Sequence, residues 1–203
     1  QAYFFDFDND NDLDVYLVNH SVNFKNNVAR SNQIQNDFSP MTSDKLFIND
    51  HSKFNNITTN GINNTWGLSA SIADFNNDGW YDIYVCNDLL EPDQLFINIP
   101  NEGIRGIKDE VLNTMDHLSF YSMGSDVADI NNDSKLDLMI VDMSPADHGR
   151  AKRNMTSMDV AFFDQMIEIG YHRQYMSNIL QLNRGNQVYS DIAQFAGISK
   201  TDW

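Results

Sequence analysis

One nine-residue pattern is written three times in this chain, and it constrains the fold more tightly than any bulk property. Asp stands at its first, fifth and ninth positions and Asp or Asn at its third. The copies are Asp6-Phe-Asp8-Asn-Asp10-Asn-Asp12-Leu-Asp14, Asp74-Phe-Asn76-Asn-Asp78-Gly-Trp-Tyr-Asp82 and Asp129-Ile-Asn131-Asn-Asp133-Ser-Lys-Leu-Asp137. Carboxylates crowded at alternate positions repel one another unless a cation sits among them. Hard oxygen ligands on a short turning segment are what Ca²⁺ requires. Each copy runs into an apolar run: Val15-Tyr-Leu-Val, Ile83-Tyr-Val-Cys or Leu138-Met-Ile-Val. These are short and rich in β-branched and aromatic residues, so they read as buried strands.

In the middle copy the alternate side chains of Asp74, Asn76 and Asp78 can converge from one side of a tight loop. Gly79 lets the backbone turn with positive φ. The carbonyl of Trp80 can face inward, and Asp82 closes the shell. Water can complete the roughly six to eight oxygens of a Ca²⁺ sphere, whereas Mg²⁺ gives up its water reluctantly and seldom uses such cages. Carried across the copies, the candidate ligands are Asp6, Asp8, Asp10, Asp12 and Asp14 in the first loop. They are Asp74, Asn76, Asp78, Trp80 and Asp82 in the second, and Asp129, Asn131, Asp133, Lys135 and Asp137 in the third. About three Ca²⁺ sites are expected.

An EF-hand begins similarly but needs Glu at its twelfth position and helices on both sides. Here the twelfth residues are Leu17, Val85 and Ile140, inside the apolar runs, so that reading fails. The competing reading is a set of plain turns, because Asp and Asn tolerate left-handed backbone and form Asx-turns. Four positions kept through three copies favour cation binding. The first loop, with Asp at all four, is expected to bind tightest. The third, with Ser134 at the Gly79 position, is expected to bind weakest, because Ser is poorly suited to positive φ.

The loops start at 6, 74 and 129, spacings of 68 and 55 residues. Asp44-Lys-Leu-Phe-Ile-Asn49, Pro92-Asp-Gln-Leu-Phe-Ile-Asn98 and Ser177-Asn-Ile-Leu-Gln-Leu-Asn183 follow the three strands, each with an apolar centre and a terminal Asn. Lys53-Phe-Asn-Asn-Ile-Thr-Thr-Asn-Gly61 matches Gln187-Val-Tyr-Ser-Asp-Ile-Ala-Gln-Phe-Ala-Gly197, and Leu68-Ser-Ala-Ser-Ile-Ala73 leads into the second loop. Repeats of four short strands at such periods predict an all-β chain, a partial β-propeller of about three four-stranded blades. Residues 1–203 read as one such unit that begins and ends mid-repeat, a segment of a longer protein whose remaining blades are its partners.

The loops and following strands resemble FG-GAP (VCBS) repeats, the calcium-binding blades also found in integrin α-subunit propellers. The second half is similar to a bacterial subgroup whose propellers often carry a C-terminal ASPIC/UnbV domain. Met123-Gly-Ser-Asp-Val-Ala-Asp129, Val141-Asp-Met-Ser-Pro145, Gln174-Tyr-Met-Ser-Asn-Ile-Leu-Gln-Leu-Asn183 and Thr201-Asp-Trp203 carry that likeness. The resemblance implies an exported, calcium-dependent propeller, seven-bladed when complete. Asp6, Asp74 and Asp129 match its first ligand position and Asp14, Asp82 and Asp137 its last. Asn11 and Ser134 depart from its Gly. No ASPIC/UnbV domain is visible in the sequence.

The net charge of −16 argues against nucleic acid or an anionic membrane as main partner. Each divalent ion bound would remove two units of it, so the metal-free form should be the less stable. Cys86 shares its strand position with Val18 and Val141 and reads as a core residue. Millimolar Ca²⁺ outside the cytosol suits weak sites of this kind, so the expected location is extracellular, periplasmic or on the cell surface. No signal peptide or apolar membrane span is legible.

Residues 144–172 break the β rhythm. Ser144-Pro-Ala-Asp147 and Thr156-Ser-Met-Asp159 read as helix starts, with Ser144 as N-cap. Met158, Phe162, Met166 and Ile169 fall on one helical face, and Gly170 ends it. That face either packs on the propeller rim or docks a partner. Polar residues 20–43 read as a long loop.

No G-x-S-x-G, HExxH or phosphate-cradling loop occurs. His148 beside Asp147 and His172 near Glu168 could be posed as acid–base pairs, and both read better as surface residues. The expectation is a non-catalytic, calcium-binding surface module for protein or glycan interaction or adhesion. The alternative is one part of a secreted polysaccharide-active or hydrolytic enzyme.

Overall fold

The computed structural model describes residues 1–20, 42–58, 65–88, 91–101, 104–154, 160–168 and 170–201. Among these, three four-stranded antiparallel sheets carry the architecture. The first is β1 (Ala2–Phe5), β2 (Asp14–Leu17), β3 (Lys45–Asp50) and β4 (Lys53–Asn56), paired in that order. The second is β5 (Gly67–Ala73), β6 (Asp82–Asn87), β7 (Gln94–Asn101) and β8 (Ile104–Asp109). The third pairs β10 (Ser122–Ala128), β11 (Asp137–Asp142), β13 (Ile179–Asn183) and β14 (Tyr189–Asp191). Each sheet is a meander built around one of the nine-residue loops, which joins its first two strands.

The sheets stack face to face, and the period of two sorts the core. On β6, Ile83 and Val85 join Phe5, Phe7, Tyr16, Val18 and Leu46 of the first sheet, while Tyr84 and Cys86 join Leu138, Ile140 and Ile179 of the third. Every residue of β6 is buried, because its sheet is covered on both faces. A fully buried side chain such as Phe96 contributes roughly 1.5–3 kcal/mol by leaving water.

Among the described residues, no further sheet lies against the outer faces of the first and third sheets. Cys86 is buried as expected, but Val141 at the same strand position is 39% exposed, and Phe4 and Phe54 also face outward. That corrects the expectation of three equivalent core slots. Strand position sets which face a side chain takes, but only a neighbouring sheet makes that face a core.

Four elements lay outside the repeat pattern. β8 runs through a stretch the repeat did not cover. A short helix α1 (Val111–Thr114) follows it. A two-stranded parallel pair joins β9 (Leu118–Ser119) to β12 (Gln174–Tyr175). The insert holds α2 (His148–Asn154) and α3 (Val160–Glu168). Its first helix is capped by Asp147, whose Oδ1 accepts the Arg150 N–H at 2.8 Å, and not by Ser144. The Ser144 hydroxyl instead donates to the Met176 carbonyl at 3.2 Å, tying the chain to the β12–β13 connection.

At the end of α3, Gly170 takes φ +97°, and the N–H groups of Gly170 and Tyr171 donate back to the Ile167 and Met166 carbonyls. This is the expected glycine stop in its Schellman form. Met166 is buried, Phe162 half-buried, and the Phe163 and Tyr175 rings lie 5.5 Å apart, so this face packs against the body of the protein. Met158, Ile169, the expected start at 156–159, Gly61, Trp203 and most of the 20–43 loop lie outside the described residues. No described helix is long and apolar enough to cross a membrane.

Candidate metal centre

In each loop the first Asp organises the turn. Asp6 accepts the N–H groups of Asp10 and Asn11, Asp74 those of Asp78 and Gly79, and Asp129 those of Asp133 and Ser134, at 2.8–3.1 Å. The fifth-position Asp accepts the next N–H but one, from Asp12, Trp80 or Lys135. The backbone is left-handed at two places per loop. Asn9, Asn77 and Asn132 take φ +57°, +63° and +58°, and Asn11, Gly79 and Ser134 take +72°, +88° and +66°. Ser134 therefore adopts the conformation expected to suit it poorly, held by its own N–H on Asp129. The Asn at the fourth position of every copy was the overlooked sequence signal, since Asn is among the residues that visit this region most readily.

The ninth-position Asp does a different job. Asp14, Asp82 and Asp137 are 0–1% exposed. One oxygen of each accepts the N–H of the loop's second residue (Phe7, Phe75 or Ile130) at 2.7–3.1 Å. The other accepts the N–H of an Asn on the sheet's third strand (Asn49, Asn98 or Asn183), at 2.8 Å each time. Burial pushes the Asp82 carboxyl up to about 7 despite these bonds. This Asn, visible in the sequence without a role, is thus the partner of the last loop carboxylate.

Asn98 and Asn183 also reach across to the preceding loop. Asn98 Nδ2 donates to the Phe7 carbonyl at 2.9 Å, and Asn183 Nδ2 donates to the Phe75 carbonyl at 3.2 Å. Arg105 steadies this joint, donating through Nε to Asn98 Oδ1 at 2.7 Å with its guanidinium 3.9 Å over the Trp80 ring.

The loops differ in what remains unsatisfied. In the first, ligand oxygens of Asp6, Asp8 and Asp14 lie within 4.8 Å of one another. Asp8 Oδ1 and Asp12 Oδ1 are buried and have no hydrogen-bond partner. Burial, then the neighbouring carboxylates, raise the Asp8 pKa. Turn chemistry explains the satisfied oxygens but not these two, and a cation among Asp6, Asp8 and Asp14 would satisfy that of Asp8. In the other loops Asn76 and Asn131 replace Asp8, and each Oδ1 accepts the N–H of the fifth residue at 3.0 Å. In the third, Lys135 Nζ donates to Asp133 Oδ2 at 2.8 Å, putting an ammonium where the cation's charge is needed.

At the far end of each second strand a second bracket recurs that sequence reasoning missed. Tyr16 and Tyr84 donate their hydroxyls to Asp44 and Asp93 at 2.8 and 2.6 Å, and the same carboxylates accept the N–H groups of Asn19 and Asn87. In the third sheet the two roles are exchanged: Asp142 donates its N–H to Asn178 Oδ1 at 2.8 Å. The Asn-to-Asp swap between copies hid the pattern. His172, expected at the surface, is instead buried. His172 donates through Nε2 to the Met115 carbonyl, and its Nδ1 accepts the Arg173 N–H. Asp147 is occupied as a helix cap.

This is the anatomy of an all-β repeat protein whose strand-joining loops concentrate oxygen ligands. Residues 74–140, from the second loop through the third and into β11, match the model of the FG-GAP-like repeat family. No curated protein matches the chain.

Proposed function

We propose that the chain is a run of calcium-stabilised blades of a β-propeller that works as a non-catalytic interaction module outside the cytosol. The observation that carries the reading is the first loop. There, three carboxylates converge, and two buried oxygens have no partner in the protein. Asp6, Asp8 and Asp14 would hold the ion, with Asp10 and Asp12 beside them. Their counterparts from Asp74 to Asp82 and from Asp129 to Asp137 would form the weaker second and third sites. The ion supplies charge neutralisation and rigidity, while the protein's own Asp14, Asp82 and Asp137 lock each loop to its sheet.

The apolar outer faces of the first and third sheets are the kind of surface that further blades of the same build would cover. An open hollow of about 660 Å³ beside the first loop, bordered by Asp8, Asp10, Ile48 and Arg105, offers room for a protein or glycan ligand. The strongly acidic surface speaks against nucleic acid as partner.

The test is thermal unfolding in millimolar Ca²⁺, in EGTA and in Mg²⁺. The reading expects a Ca²⁺-specific rise in Tm that shrinks in Asp8→Ala and again when Asp74→Ala is added. A folded protein, by circular dichroism, with the same Tm in all three buffers would reject it.

A further inference from the structure

At the end of β6 remote from the metal loop, a cavity of about 280 Å³ opens beside the β8–α1 junction and the turn after α3. That is just below the roughly 300–1,000 Å³ of a drug-sized pocket, the size for one side chain or small head group. Its charged wall is Glu91 and Asp109. Asp109 is fixed by the N–H groups of Leu95 and Val111, which donate to its Oδ1. Glu91 is hydrogen-bonded by the Tyr171 hydroxyl. Asp93, which also lines the cavity, has both oxygens engaged by Asn87, Tyr84 and Ser122.

Among the described residues lining the cavity, none is Lys or Arg. The one lining histidine, His172, has both ring nitrogens engaged, and burial holds its pKa below the usual value, so it brings no positive charge. A second observation is independent of the acids. Thr65, only 4% exposed, lines the cavity with a buried Oγ1 that has no hydrogen-bond partner. Such a hydroxyl marks a missing polar group, since leaving it unpaired is costly. Pro92, Val111 and the 59%-exposed Leu112 form an apolar lip.

We infer that this cavity is a binding site for a primary alkylammonium group, its head among Glu91, Asp109 and Thr65 Oγ1 and its methylene stem along Pro92, Val111 and Leu112. An ammonium carries three donors and suits several acceptors at once, and a straight alkyl stem covers apolar surface while its head is solvated by the carboxylates. Burial raises the Glu91 pKa to about 7, so an arriving cation also relieves the cost of its charge. The inference does not rest on calcium, because no loop carboxylate lines the cavity.

The test is a titration of the Ca²⁺-loaded chain with n-butylammonium, followed by calorimetry and by methyl NMR. n-Butanol and glucose serve as neutral controls. n-Butylammonium is expected to saturate, to shift the Val111 and Leu112 methyls, and to bind at least about tenfold more tightly than either control. Glu91→Gln and Thr65→Val should each weaken it, by about tenfold and a few-fold. Nα-acetyl-lysine methylamide and putrescine then separate a partner's lysine from a free diamine as the source. Equal binding of n-butanol, or shifts confined to methyls remote from the cavity such as Val18 and Ile48, would overturn the assignment. These wild-type measurements decide even if a variant does not fold.

Discussion

The carboxylate of Asp82 and the backbone N–H of Asn98 meet at 2.8 Å in a buried joint, and through that joint one loop is fastened to the next. Asn98 belongs to the second sheet, takes its main-chain bond from the second loop, and sends its side-chain amide to the first. Asn183 repeats the arrangement between the second and third loops. Loops that look independent in the sequence are therefore mechanically serial.

Replacing Asp82 with Ala leaves the Phe75 and Asn98 N–H groups buried without acceptors. The expected loss is about 2–4 kcal/mol of stability, measured by urea unfolding with and without Ca²⁺. A loss seen only with Ca²⁺ present would show that Asp82 serves the ion alone.

Asn98→Ala removes the donor to the Phe7 carbonyl and should cost about 1–3 kcal/mol. It should also weaken cation binding at both the first and second loops, because the same side-chain amide donates to the Tyr81 carbonyl of the second loop at 3.2 Å. Calorimetric titration resolves this, and an effect restricted to one loop would contradict the coupling.

Lys135 competes with any cation at the third loop through its 2.8 Å contact with Asp133. Lys135→Gln is expected to tighten that site a few-fold, because the Asp133 carboxylate is then free to turn to the cation. Terbium luminescence with the first two loops disabled by Asp6→Ala and Asp74→Ala reads it directly. Unchanged affinity would mean the ammonium swings away freely.

Stability should depend on the buried Asp93. Burial raises its carboxyl from 3.8 to about 7, against the opposing effect of bonds from Asn87, Ser122 and Tyr84. Between those values the folded state holds a proton that the unfolded chain has released, so this contribution is present at low pH and lost as pH rises. Relative to Asp93→Asn, whose side chain stays neutral, the wild type should lose more than about 1 kcal/mol between pH 4 and 7 and then level off. Urea midpoints in EGTA across that range give the answer, and a constant difference would refute it.

Cys86 is fully buried and its thiol is pushed up to about 12 by burial. It should not react with Ellman's reagent at pH 8 until the protein unfolds. Fast labelling of the native chain would show that the stacking of the second and third sheets is looser than described.

The loops, the strand after each, and the Asn on each third strand were legible because their physics is local. A turn needs Asp, Asn or Gly at set offsets, and a strand buried on both faces needs a continuous apolar run. Local signals also placed the Gly170 stop and the apolar face of α3. They could not choose Asp147 over Ser144 as helix cap, because Ser144 was drawn off by the Met176 carbonyl, 32 residues away in sequence. Nor could they separate Cys86 from Val141, which share a strand position and differ only in whether a sheet lies opposite. The bridging of one loop to another by Asn98, the Asp142–Asn178 exchange, and the gathering of Thr65, Glu91, Asp109 and Tyr171 around one cavity all depend on residues far apart in the chain. Spacing along a sequence determines what a segment can form, but burial and the pairing of distant polar groups are decided only when the sheets stack.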